Sequence, residues 1–172
     1  MKKTNSITKN IVLAAVLTAL GIAIPMIMPV RINAGASTYT LASHVPLFIA
    51  MFISPLMAFI VGIGTTIGFI LSYPLVVWLR AASHIIWAVA GAWLIQRNPR
   101  ILSNSFQTAT LAAIIAVIHA VLETIIILLI TNSVKSAGVL LGIWGLGFVI
   151  HSLIDFALAY IVFKSLKRSR LV

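Results

Sequence analysis

Glu123 and Asp155 are the two acidic residues of the chain, and both stand inside long apolar stretches, as do Arg80, His84, His119 and His151. Their spacing is regular. Arg80, His84 and Trp87 stand at i, i+4 and i+7; His119 and Glu123 at i and i+4; Trp144, Phe148, His151 and Asp155 at i, i+4, i+7 and i+11. On helices each set falls on one face. A guanidinium offers a planar fork to a carboxylate, an imidazole exchanges or shares protons near neutral pH, and an indole covers a flat ring. These groups suit recognition of a small polar molecule.

Two readings of Arg80 and Glu123 stand side by side. As a structural ion pair they neutralise each other, because a lone charge in hydrocarbon costs at least about 2.5–3.5 kcal/mol. As a binding site they line a polar pocket near the outer leaflet, with Arg80 roughly 9 Å below the outer end of its helix. Each histidine has a plain alternative as an interhelical hydrogen-bond partner, and His44 as the start of a helix. Asp155 reads as structural, and Trp78 and Trp93 as interfacial anchors.

The elements that must position these groups are membrane helices. The chain of 172 residues is 62% hydrophobic and 8% charged, whereas a soluble domain carries about a quarter charged residues. A spanning helix needs about 20 apolar residues. The apolar runs predict an all-α integral membrane protein with six transmembrane helices over residues 6–28, 44–54, 56–71, 74–96, 105–130 and 139–163, in a single transmembrane substrate-binding domain covering residues 1–172. Residues 31–40 form a polar loop, Ser72-Tyr73-Pro74 a tight turn, and residues 131–138 a second loop. The apolar run over residues 11–30 is about twice the length of a signal-peptide core and reads as a retained helix.

Orientation follows from basic residues. Lys2, Lys3, Lys9, Arg97, Arg100, Lys164, Lys167, Arg168 and Arg170 fall on one side, and Arg31 and Lys135 on the other. The N and C termini are therefore expected to be cytoplasmic. The formal charge of +10 does not indicate nucleic acid, since it sits at helix ends rather than on a soluble stripe. Cysteine is absent. No G-x-x-x-x-G-K-[ST] loop, H-E-x-x-H helix or paired Ser nucleophile is present, so neither ATP binding of that kind nor enzymatic activity is expected. No cofactor is expected, and the scattering of the histidines along the sequence argues against a metal.

Ala15-x-x-x-Ala19, continued by Ala23, puts small residues on one stripe of the first helix and would let another helix approach closely. Together with the six short helices, the polar first loop and the stretches His44-Val-Pro-Leu-Phe-Ile-Ala-Met-Phe-Ile-Ser-Pro55 and Leu79-Arg80-Ala-Ala-Ser-His84, this resembles the substrate-binding S-components of energy-coupling factor (ECF) vitamin transporters over essentially the whole chain. The niacin-type members are the most similar. The resemblance implies a subunit that binds a vitamin outside a bacterial plasma membrane. It would dock through Ala15, Ala19 and Ala23 onto an ECF transmembrane coupling protein driven by two ABC ATPases.

For nicotinate, Arg80 would hold the carboxylate, Trp87 or Trp144 the ring face, and His84 or His119 the ring nitrogen. His151 lies deeper on the same set of faces. Pantothenate would instead use Asn33, Tyr39 or Asn132, and a cationic ligand would make Glu123 the main contact. A self-sufficient proton-coupled transporter built on Arg80, Glu123, Asp155 and the histidines is the alternative of another class.

Overall fold

The computed structural model describes residues 2–34, 37–132 and 139–172. Six α-helices, a two-stranded hairpin, a 3₁₀ turn and a π-helical segment follow in order. Helix α1 (Lys2–Ile27) carries Pro25 in its last turn. The hairpin pairs β1 (Arg31–Ala34) antiparallel with β2 (Ser37–Thr40), Ile32 opposite Tyr39 and Asn33 opposite Thr38. The sequence predicts a polar loop there, and the structure pairs it into two short strands.

Helices α2 (Val45–Ile53) and α3 (Pro55–Ser72) are separated by Ser54. Pro55 opens α3 at a position where a missing N–H is harmless, and the Ser54 hydroxyl caps the helix by accepting from the Met57 amide at 3.1 Å. Helix α4 is Leu75–Arg97, followed by the 3₁₀ turn Pro99–Leu102. Helix α5 (Ser105–Thr131) is capped by Asn104, which accepts from the Gln107 amide, and stops at Asn132 in the left-handed conformation (φ 45°). The final span is a π-helical stretch, Val139–Leu146, running into α6 (Gly147–Arg168). Lys135 and the rest of the loop after Asn132 lie outside the described residues.

Five of these helices are long and apolar enough to cross a membrane. Their outward surface is apolar, with Ile27, Leu71, Phe106 and Leu129 among its exposed side chains, as a surface in contact with lipid must be. The sixth, α2, has nine residues, about 13.5 Å of helix against a hydrocarbon thickness of about 30 Å. It is surrounded by protein instead: all residues from Pro46 to Phe52 are buried. Phe48 stacks at 4.8 Å from Trp87 of α4 and at 5.2 Å from Phe156 of α6. Small residues bring α1 against α3, where a Cβ placed on Gly68 would lie 2.5 Å from Ile22 Cγ1.

The two termini meet. Lys9 Nζ donates to the Arg170 carbonyl at 2.9 Å, and Tyr160 of α6 donates to the carbonyl of Leu102 at 2.7 Å. The basic N-terminus, the turn near Arg100 and the basic C-terminus therefore gather at one end of the bundle. The hairpin is packed at the other end, where Tyr39 donates to the Ile143 carbonyl in the π-helical stretch.

Candidate functional site

Beneath the hairpin a cavity of about 100 Å³ opens between α1, α3 and α4. That is the scale of the roughly 150 Å³ engineered cavity that accepts benzene. Thr38, Thr40 and Ser43 form its roof, Gly21, Thr65 and Phe69 its sides, and His44, Arg80, His84 and Glu123 its polar wall. The two sequence readings of Arg80 and Glu123 are thus not alternatives. The residues are an ion pair, and both line the cavity.

The pair has defined geometry. Arg80 Nε and Nη2 approach Glu123 Oε2 at 2.6 and 2.5 Å, and His84 Nε2 donates to Glu123 Oε1 at 2.7 Å. Glu123 is 1% exposed and Arg80 5%, so the carboxylate exchanges water for three charge-assisted contacts. The guanidinium also lies over the Phe148 ring at 5.1 Å.

Asp155 organises the neighbouring histidine. Its Oδ1 accepts from the Ala42 amide at 2.7 Å, and its Oδ2 accepts from the His44 amide at 2.9 Å and from His44 Nδ1 at 3.0 Å. A carboxylate can only accept, so Nδ1 carries a proton, and in the neutral ring Nε2 of His44 would present its lone pair. Asp155 is structural, as the sequence suggested. The same carboxylate closes the turn before α2, where Ala42 has a positive φ of 65°.

The four histidines, far apart in sequence, come together. Ring centroids of His44 lie 4.7 Å from His84, 4.7 Å from His119 and 4.9 Å from His151, and His84 lies 4.9 Å from His119. Scattered along the sequence, the histidines are not scattered in space: the start of α2, α4, α5 and α6 each contribute one ring to a single cluster. His119 is 1% exposed, and neither of its ring nitrogens makes a hydrogen bond. Its Nε2 stands 3.4 Å from Glu123 Oε1, within ion-pair range but outside hydrogen-bond geometry. Every titratable side chain in the buried set of described residues belongs to this cluster.

Other candidates stand farther out. Trp87 and Trp144 are buried in the packing rather than on the cavity wall, Trp87 against Phe48 and the histidine rings and Trp144 with Phe148 and Ile127. Trp87 Nε1 has no hydrogen-bond partner. His151 reaches Ser43 Oγ at 3.3 Å, just behind the wall. Asn33 is exposed on β1, Asn132 is exposed at the end of α5, and neither lines the cavity.

Tyr39 acts as a strut, with its ring 5.2 Å from Phe148 and its hydroxyl on the π-helical stretch. Partial burial pushes that phenol above its ordinary value, so it remains a donor at neutral pH. Ala15 and Ala19 are exposed on α1 and Ala23 is partly so, leaving the small-residue stripe on the outer surface. The residues not foreseen are Ser43, Thr65 and the central place of His44. A histidine at a helix start, where Ser, Thr, Asp or Asn is usual, was the available signal for His44.

The fold and the site define a multi-pass helical membrane protein with a partly open polar pocket of small-molecule size. The chain is 39% identical over 158 residues to the niacin transporter NiaX of Lactococcus lactis subsp. cremoris (strain MG1363), covering 88% of this chain and 71% of that protein. No family model matches the chain, and no solved structure matches it. The chain belongs to the family of that transporter, the niacin-type ECF S-components that its sequence resembles.

Proposed function

We propose that the chain is the high-affinity niacin-binding S-component of an ECF-type importer in a bacterial plasma membrane. It is not an enzyme. Nicotinate enters from outside beneath the hairpin, and the loaded subunit docks onto an ECF transmembrane coupling protein driven by two ABC ATPases. The observation that carries the reading is a one-ring-sized cavity bearing a guanidinium and two imidazoles, in a relative of a named niacin transporter. Arg80 receives the carboxylate, and of the two imidazoles on the wall, His44 and His84, His84 faces the ring nitrogen, with His119 behind it.

Six crossings with cytoplasmic termini are part of the proposal. The Lys9–Arg170 contact supports them, because termini at one end require an even number of passages. The five long helices supply five, and α2 with its hairpin completes the sixth. The basic residues at that end favour the cytoplasm. Gathering of the buried titratable groups into one cluster favours a binding site over a proton relay, which has to cross the membrane.

The test is tryptophan fluorescence of the purified chain titrated with nicotinate, nicotinamide and pantothenate. Saturable quenching by nicotinate at submicromolar concentration is expected, with a loss of about tenfold or more in Arg80→Ala. Binding of pantothenate alone, or full nicotinate affinity in Arg80→Ala, would refute the assignment. Uptake by the chain alone in proteoliposomes under a proton gradient would instead establish the secondary transporter.

A further inference from the structure

We propose that His44, His84 and His119, with Glu123, bind one divalent transition-metal ion at the polar wall of the cavity, where it serves as an electrophilic partner for the anionic ligand. The first half stands on the histidine cluster alone; the second rests on the nicotinate reading.

Geometry is the first support. One donor atom from each of His44, His84, His119 and Glu123 lies within 4.8 Å of all the others. The three rings are arranged with near-threefold regularity: their centroid separations are 4.7, 4.7 and 4.9 Å, and their interplanar angles are 69°, 69° and 70°. Imidazoles bound to one ion at about 2.0–2.1 Å have centroids about 4.5–5.3 Å apart, from octahedral to tetrahedral angles. The rings already stand at that spacing; the donor atoms close inward by side-chain rotation, and if His84 binds through Nε2 it releases the proton it now gives Glu123.

The hydrogen bonding is the second support. His44 gives its Nδ1 proton to Asp155 at 3.0 Å, the carboxylate–histidine arrangement that orients a ligating imidazole and raises its basicity. His119 is buried with no hydrogen bond to either ring nitrogen, its Nε2 standing 3.4 Å from Glu123 Oε1, an arrangement that ordinarily costs stability. An ion on one nitrogen removes part of that cost. Three imidazoles and a carboxylate suit zinc, cobalt or nickel rather than magnesium or calcium.

Charge is the third. With uncharged imidazoles, one guanidinium against two carboxylates leaves the cluster one negative charge, and Arg80 is already held by Glu123 at 2.5 Å. A nicotinate anion would enter against that charge. A divalent ion reverses the sign, and the bound anion then brings the site to neutrality. The ring nitrogen or the carboxylate of the ligand is a competent donor to such an ion.

The full-length chain, purified in detergent and stripped with a chelator, is titrated with Co²⁺ while its ligand-field absorption is followed, and its metal content is measured by mass spectrometry. One ion per chain is expected. His119→Gln and His44→Gln should each weaken Co²⁺ binding by about tenfold or more, and His151→Gln should leave it unchanged. Thermal unfolding of each variant verifies its fold. Absence of a saturable spectrum, or wild-type affinity in His119→Gln, overturns the site. Loss of the ion in His151→Gln and His44→Gln with binding retained in His119→Gln moves it to the His44, His151 and Asp155 group and overturns the assignment.

Nicotinate is then added to both forms. It should perturb the Co²⁺ spectrum and bind the stripped chain at least tenfold more weakly. Equal affinity for both forms, with no spectral change, overturns the shared role and leaves niacin binding intact. Binding to neither form refutes the niacin reading, and with it the place of this ligand on the ion.

Discussion

Arg80 Nη2 stands 2.5 Å from Glu123 Oε2, tying α4 to α5 at the wall of the cavity. Neither side chain can be removed without leaving the other charge buried. Glu123→Ala or Arg80→Ala should therefore destabilise the protein by about 3–5 kcal/mol. The double variant should recover part of the loss. Unfolding in detergent across the four-member cycle gives the coupling, and strict additivity would show that the two charges do not depend on each other.

Thr65 offers a cleaner probe of binding. Its hydroxyl lies buried against the cavity with no hydrogen-bond partner. Thr65→Val should leave stability within about 0.5 kcal/mol, while nicotinate affinity falls by about five- to tenfold, the equivalent of one hydrogen bond. Unchanged affinity would remove Thr65 from the ligand's surroundings.

The hairpin should govern how fast ligand leaves. Tyr39→Phe deletes its hydrogen bond to the Ile143 carbonyl, worth about 0.5–1.5 kcal/mol. The dissociation rate, read by stopped-flow fluorescence, is expected to rise by about threefold to tenfold. Because burial raises the phenol in the folded chain, the unfolded chain loses this proton first. The contribution of Tyr39 to stability is thus constant at neutral pH and falls as pH rises through the ordinary phenol value of about 10. A dissociation rate that changes between pH 6 and 8 in wild type but not in Tyr39→Phe would contradict this.

Gly147 is fitted against the same strut. A Cβ there would lie 2.7 Å from Tyr39 Oη and 2.9 Å from Cζ. Gly147→Ala should cost about 1–3 kcal/mol by overpacking and should speed ligand release. Stability equal to wild type would mean that the hairpin can shift without loss.

The exposed alanines of α1 permit a separation of functions. Ala15→Leu with Ala19→Leu alters outward-facing residues and should leave folding and nicotinate affinity unchanged. Uptake reconstituted with the coupling protein and its ATPases should drop by about tenfold or more. Full uptake would show that the partner docks elsewhere.

How far the sequence foretold this arrangement can be followed residue by residue. Helical periodicity put Arg80 with His84, and His119 with Glu123, and both pairings hold in space. Periodicity works within one helix and is blind to rotation between helices. That is why Trp87 and Trp144 were expected at a ligand and are found in the packing. His44 belongs to no stripe, because it contributes from the start of α2, and its partner Asp155 lies 111 residues away. The hairpin was missed because four-residue polar strands carry no apolar alternation, though Thr38, Tyr39 and Thr40 favour extended backbone. The apolar run of the last span predicts one regular helix. Its first eight residues are π-helical, and nothing in a run of Leu, Ile and Gly distinguishes the two windings.

The short buried helix has a consequence for biogenesis. Nine residues are too few for an insertion machinery to recognise as a membrane segment by hydrophobicity, and both flanking helices are competent without it. The burial of α2 then depends on packing against α3, α4 and α6 rather than on its own partition into lipid. Without that packing His44 cannot meet Asp155, and the cavity loses the His44 part of its polar wall. If the cavity is the niacin site, its completion is coupled to the docking of α2, and a ligand present during synthesis would favour the assembled bundle by mass action.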